Sequence, residues 1–228
     1  MLESVPMNSR TLLLASSSPR RQQMLAWTGW KFRIQTADID ETAYMAELPG
    51  QYALRLAETK GRSVLSSAEP EELIVASDTI VADGEDLLGK PVDEDAAANM
   101  LYRLRGRTHQ VYTALAVIDP ISGRQETDLC VSRVPMRDYS DTEIADYIAS
   151  GDPFDKAGGY AIQHAGFHPV TDFQDCYACV MGMPLCHLVG LISRFALAVV
   201  EEVPVVCQEK LGYNCAIFQE ILHAGIEE

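Results

Sequence analysis

This 228-residue chain is poor in positive charge: 18 Lys and Arg stand against 33 Asp and Glu, a formal charge of −15 and a pI near 4.7. Such a surface repels polyanions, so long-range attraction to nucleic acid or to an anionic membrane is excluded as the basis of its function. Long apolar runs are also missing. The apolar run after Arg10 is only Leu12–Ala15, too short for a secretory core. Nothing approaches the ~20 apolar residues of a membrane span. A cytoplasmic protein is therefore expected. Internal repeats and low-complexity tracts are absent. Cysteine is present but irregular: five of the six (Cys176, Cys179, Cys186, Cys207 and Cys215, but not Cys130) follow residue 175. Cys176-x-x-Cys179 has no second C-x-x-C to complete a four-thiolate site. Reduced thiols are the expectation; zinc, an iron–sulfur cluster and a disulfide are the alternatives.

In an acidic chain, basic residues next to loops carry the information. The stretch Leu12-Leu13-Leu14-Ala15-Ser16-Ser17-Ser18-Pro19-Arg20-Arg21 reads as a buried strand, a serine loop and a helix start. Ser18 suits the N-cap, and Pro19, with no N–H to leave unpaired, suits the first helical turn. Free backbone N–H groups, hydroxyls and guanidinium groups together suit phosphate. An ordinary capped strand–helix turn is the plainer alternative.

Further on, the pattern alternates between strand and helix. Lys31–Thr36 reads as a strand, Tyr52–Leu65 as a helix, Leu73–Val81 as a strand, and Asp83-Gly84 as a hairpin turn. Asp93–Leu104 reads as a helix capped by Asp93, His109–Ile118 and Glu126–Met136 as antiparallel partners, and Asp141–Ala149 as a helix closed by Gly151. Tyr160–Gln163 looks strand-like, and Pro184–Val200 reads as an apolar helix. The fold class expected is α/β, with a mixed, twisted sheet and flanking helices.

Asp78 interrupts an apolar strand, Ile74-Val75-Ala76-Ser77-Asp78-Thr79-Ile80-Val81. A carboxylate there needs a partner. Metal ligand, general base for water and buried ion-pair member all fit. Lys60, Lys90 and Lys156 sit beside small or turn-forming residues, where a solvated lysine is the bland reading. His164 and His168 flank a loop glycine, and Trp27 and Trp30 read as core.

Taken in order, these pieces resemble the Maf family of nucleoside triphosphate pyrophosphatases. The resemblance rests on Ala15–Arg21, Glu41, Lys60, Ser77-Asp78-Thr79, Gly89-Lys90-Pro91, Gly106 with Thr108–Thr113, Asp155–Gln163 and Val180–Leu185, and covers roughly residues 11–197. It implies two lobes around a deep cleft, with one Maf-like domain over 10–200; the tail over 201–228, outside the resemblance, reads as a helical extension. It implies hydrolysis of a nucleoside triphosphate to the monophosphate and pyrophosphate with Mg²⁺ or Mn²⁺. Asp78 then matches the catalytic carboxylate, and Glu41 with Asp78 the metal ligands. Ser16, Ser18, Arg20, Arg21, Lys60, Thr79, Lys90, Lys156 and Gln163 match the substrate-binding residues. Arg20, Thr79 and Gln163 resemble the dTTP/UTP type rather than the 7-methyl-GTP type, and modified pyrimidine nucleotides are a related substrate class. A homodimer is the expected assembly. The alternative class is a regulatory protein of septum formation without essential catalysis. The chain departs from the pattern at Asp175-Cys176-Tyr177, where members often carry Gly-Ser-Tyr, and in its tail beyond residue 200.

Overall fold

Six strands form one sheet in the computed structural model, which describes residues 10–195, 197–198 and 202–224. The path is β2 (Phe32–Ile34), β1 (Thr11–Leu14), β3 (Glu72–Asp83), β5 (Thr108–Ile118) and β6 (Gln125–Pro135), with β4 (Asp86–Leu88) folded back onto β3. β2 and β3 run parallel to β1. β3, β5 and β6 form an antiparallel meander, and β4 pairs antiparallel with the end of β3. The sheet is therefore mixed, as the alternating pattern predicts.

Strand alternation sorts the core onto two faces. Leu12, Leu14, Leu73, Val75, Leu115 and Val117 point to one face, where α1 (Pro19–Ala26) and the later helices α5 (Tyr177–Val180) and α6 (Leu185–Ser193) pack. Leu13, Ile74, Ala76, Ala114, Ala116 and Ile118 point to the other, against α2 (Pro49–Ser63). That second layer is built of small residues, and α2 sits very close to it. A β-carbon on Gly61 would come within 2.8 Å of Ile118 Cδ1, and one on Gly50 within 2.9 Å of Leu129 Cδ2. The far ends of β3 and β5 leave this core for a second one. It is built with α3 (Glu94–Leu104), α4 (Asp141–Ala149) and the buried rings of Tyr139, Tyr147 and Phe167. Two lobes result, and the middle of β3 crosses between them.

Local chemistry sets the helix ends. Asp93 caps α3 by accepting the Ala96 N–H at 2.7 Å, and Ser140 with Glu143 forms a capping box on α4. Two sequence expectations change. Tyr160–Gln163 is not a strand but a turn-rich segment, because its neighbour is the 3₁₀ turn Ala157–Gly159 rather than a sheet edge. The apolar helix expected over Pro184–Val200 ends at Ser193, where Phe195 turns back into the core; residues 196, 199 and 200 lie outside the described residues. Beyond it come two helices, α7 (Val203–Leu211) and α8 (Phe218–Ala224), separated after Gly212 in a left-handed cap.

All six cysteines are free thiols. Cys176, Cys186, Cys207 and Cys215 line one small apolar cavity of about 20 Å³ between the core and these last helices. Among the described residues no three His, Cys, Asp or Glu side chains are grouped to hold a metal. Burial pushes the Cys207 thiol up to about 12, so it is a packed thiol rather than a nucleophile. Trp30 is buried in the core and donates from Nε1 to Ala198 O at 3.0 Å. No helix among the described residues is long and apolar enough to cross a membrane.

Candidate active site

The cleft between the lobes has a volume of about 770 Å³. Five basic side chains line it (Arg20, Arg21, Lys60, Lys90 and Lys156) against three acidic ones (Glu41, Asp78 and Asp155). In a chain of formal charge −15 this is a local reversal of sign, the condition an anionic ligand needs. Ser16, Ser18, Thr79 and Gln163 line the same cleft. Every residue that the sequence singled out for the site is thus brought to one place.

The two-residue period of β3 distributes the chemistry. Asp78 lies in register with Ile74 and Ala76, so it faces α2. There the close approach of the helix delivers Lys60, whose Nζ donates to Asp78 Oδ1 at 2.5 Å. Lys60 Nζ also meets Glu41 Oε1 at 2.7 Å. One ammonium therefore bridges both acidic residues. Asp78 is 5% exposed and Lys60 9%, whereas the Glu41 side chain is 58% exposed at the mouth. Asp78 Oδ2 takes no protein donor among the described residues. The Glu41 loop is braced on α2: the Tyr52 hydroxyl donates to Glu41 O, and Arg55 pairs with Glu47 at 2.6 Å while stacking on Tyr44.

Ser77 and Thr79 take the opposite register and face α1. Arg21 reaches them and is fully engaged there. Its Nη1 donates to Ser77 O at 2.6 Å, its Nη2 to Thr79 Oγ1 at 3.1 Å and its Nε to Gly182 O at 3.0 Å. Desolvation by burial lowers the Arg21 pKa, more than the Asp78 charge raises it. The serine-loop reading gave phosphate two guanidinium groups; the structure commits that of Arg21 to the cleft wall. Of the five cleft cations, Arg20 and Lys90 make no side-chain hydrogen bond or ion pair among the described residues. Lys156 is held by Asp152 at 3.0 Å and Asp155 at 2.5 Å. Gly158 N–H donates to Gly89 O at 3.0 Å and ties the Lys156 and Lys90 loops together.

The serine loop behaves as its residues predict. Ser18 Oγ accepts the Arg21 N–H at 3.5 Å as the cap of α1, and Ser16 Oγ accepts the Ser18 N–H at 3.2 Å.

Some participants escaped sequence reasoning. Gly182, at φ +95°, places its carbonyl where Arg21 Nε and Ser77 Oγ both donate. Thr113 sits across the sheet from Thr79, with their hydroxyl oxygens 3.0 Å apart. His109 is wholly buried and lies 2.8 Å from the hydroxyl of Tyr160, a cleft residue; burial pulls its pKa down to about 4. Thr113 closes the Thr108–Thr113 motif of the sequence, which was the available signal for it. His164 and His168, the pair flanking Gly166, do not line the cleft; His164 packs on Tyr147 and accepts the Phe167 N–H at 2.9 Å. The departure at Asp175-Cys176 is structural: Asp175 pairs with Arg133 at 3.2 Å, and Cys176 caps α5.

The donor set suits a hard divalent cation. Asp78 and Glu41 offer carboxylate oxygens, and Mg²⁺ characteristically takes one or two carboxylates and fills its remaining positions with phosphate and water.

Known proteins resemble this chain over most of its length. The family model described as Maf-like protein matches residues 11–195. A dTTP/UTP pyrophosphatase of Myxococcus xanthus is 44% identical over 82% of this chain and 93% of its own. That of Desulforamulus reducens is 36% identical over 84% of this chain and 100% of its own. Among solved structures, the Staphylococcus aureus Ham1 protein aligns at a TM-score of 0.47 and 12% identity, covering 82% of this chain and 97% of that one. With the match spanning both lobes and every wall of the cleft, the chain belongs to the Maf family.

Proposed function

We propose that this chain hydrolyses nucleoside triphosphates, dTTP and UTP foremost, between the α and β phosphorus atoms, giving the monophosphate and pyrophosphate. Modified pyrimidine triphosphates belong to the same class of substrate. The observation that carries the reading is the Glu41–Lys60–Asp78 bridge at the centre of a cation-lined cleft. A buried carboxylate is retained there against its desolvation penalty, with one oxygen left open. A protein that only bound nucleotide would gain nothing from it, which favours an enzyme over a regulatory role. The names of the relatives support the substrate class.

In this reading the serine loop, with Ser16 and Ser18 at the N-terminus of α1, receives phosphate oxygens, and Arg20 and Lys90 neutralise them. Lys156, pinned by its two aspartates, completes the cationic rim. Asp78 takes a proton from water through Oδ2, and Lys60 aims and compensates the carboxylate. The water oxygen bonds to the α-phosphorus as the bond from that atom to the bridging oxygen breaks, and pyrophosphate leaves with the electron pair. Glu41 and Asp78 would hold a divalent cation, which when bound supplies charge neutralisation for the phosphates. Thr79 and Gln163 meet the base, the amide both donating and accepting. The acidic composition and the absence of a membrane-crossing helix among the described residues support action on free nucleotides in the cytoplasm. Residues 201–228 extend the Maf domain; α7 and α8 lie beyond the span of the family match.

The test is a screen of dTTP, UTP, ATP and 7-methyl-GTP with Mg²⁺ or Mn²⁺ in H₂¹⁸O. Pyrophosphate release highest for dTTP and UTP, with the label in the monophosphate, is expected. Preference for 7-methyl-GTP would overturn the substrate class, and label in pyrophosphate would overturn the site of attack.

A further inference from the structure

The neighbours of Thr79 commit its hydroxyl proton, a feature separate from the proposed hydrolysis and resting on it only for the identity of the ligand. Each hydroxyl has one proton to donate and two lone pairs. Thr113 Oγ1 lies 2.7 Å from Cys179 O. A carbonyl has no proton to give, so that contact uses the proton of Thr113. In the 3.0 Å contact between the two threonines, Thr79 is therefore the donor and Thr113 the acceptor. Arg21 Nη2 donates into one lone pair of Thr79 Oγ1 at 3.1 Å. One lone pair remains on Thr79 and no proton. Thr113 is fully buried and Arg21 is held at three points, so neither partner is free to turn away.

We propose that Thr113 is a positioning residue that fixes Thr79 Oγ1 as a pure acceptor toward N3 of the base, so that the site selects a base protonated at N3. Uracil and thymine present a protonated N3 between two carbonyls. Cytosine presents an unprotonated N3, whose lone pair would face the lone pair of Thr79. Uracil and thymine are thus preferred over cytosine through a residue that never touches the nucleotide. Gly182 keeps room for this arrangement, since a β-carbon there would stand 3.0 Å from Thr79 Oγ1.

The experiment measures dissociation constants of the α,β-methylene analogues of UTP and CTP, with Mg²⁺, by calorimetry on the full chain. These analogues carry CH₂ in place of the bridging oxygen and are not cleaved at that bond. The wild type should bind the UTP analogue at least about 5-fold more tightly, the worth of one hydrogen bond of the right polarity. Thr113→Val frees the Thr79 proton, so the ratio should fall toward one, chiefly because the CTP analogue gains. Thr113→Ser should restore the ratio. Thr79→Val removes the acceptor and should also bring the ratio toward one; it decides the matter if Thr113→Val does not fold. An unchanged ratio in Thr113→Val, or in Thr79→Val, overturns the inference. Absence of pyrophosphate release by a wild type that still shows the binding preference would overturn the hydrolytic reading and leave this one standing.

Discussion

Replacing Gly182 with alanine tests the wall of the cleft through two separable penalties. The first is conformational. At φ +95° an L-residue is strained, by about 1–2 kcal/mol. The second is steric. The new β-carbon would stand 3.0 Å from Thr79 Oγ1 and 3.3 Å from Arg21 Nε, and both atoms belong to the network that this glycine's own carbonyl anchors. Relieving the contact means moving Arg21 and loosening its hydrogen bonds, about 1–3 kcal/mol more. Together the loss is about 2–5 kcal/mol, or roughly 10 °C in Tm for a chain of this length. Gly84→Ala is the control: Gly84 has φ +69° and open space around its would-be β-carbon, so it carries the conformational penalty alone. Calorimetric unfolding of both variants, with KM for dTTP, separates the terms. Gly182→Ala should melt well below Gly84→Ala and raise KM. Equal melting temperatures with an unchanged KM would refute the argument that this glycine is required by its neighbours.

Three further outcomes follow from particular contacts. Lys60→Met leaves the buried Asp78 without its ammonium. Allowing for water in the cleft, denaturant unfolding should show a loss of about 2 kcal/mol, with dTTP turnover falling as well. His109 titrates at about 4 when folded and near 6.5 when unfolded, so the unfolded chain holds the extra proton between those values. Stability should fall as pH drops through that window, by about 3 kcal/mol in all, and His109→Phe should flatten this pH dependence in urea titrations. The thiols are packing groups: dialysed protein should contain no stoichiometric zinc by elemental analysis, and Cys176→Ser should keep most of its turnover.

The fold and the gathering of the site were legible in the residues for physical reasons. Strand and helix periods differ, and caps such as Asp93 and Ser18 announce helix starts, so β1, α1, α3 and the β5–β6 meander can be read from the chain. The cation-rich motifs stand out against an acidic background. Side-chain commitments were not legible. Whether Arg21 meets phosphate or protein depends on the Gly182 carbonyl, 161 residues away in sequence. Lys156 is likewise taken up by its own turn, through Asp152 and Asp155. Tyr160–Gln163 is strand-like in sequence but pairs with no strand of the sheet. The end of α6 is decided by where Phe195 packs, which no local pattern encodes.

Asp78 is the residue on which the hydrolytic account stands, and Asp78→Asn is its most direct test. The amide keeps the shape of the side chain at a site that is 5% exposed, so the variant should fold. Steady-state pyrophosphate release from dTTP with Mg²⁺ should then fall by at least ~10²-fold in kcat, the scale of a positioned acid–base group. A correctly folded Asp78→Asn protein that turns over dTTP at close to the wild-type rate would contradict the account.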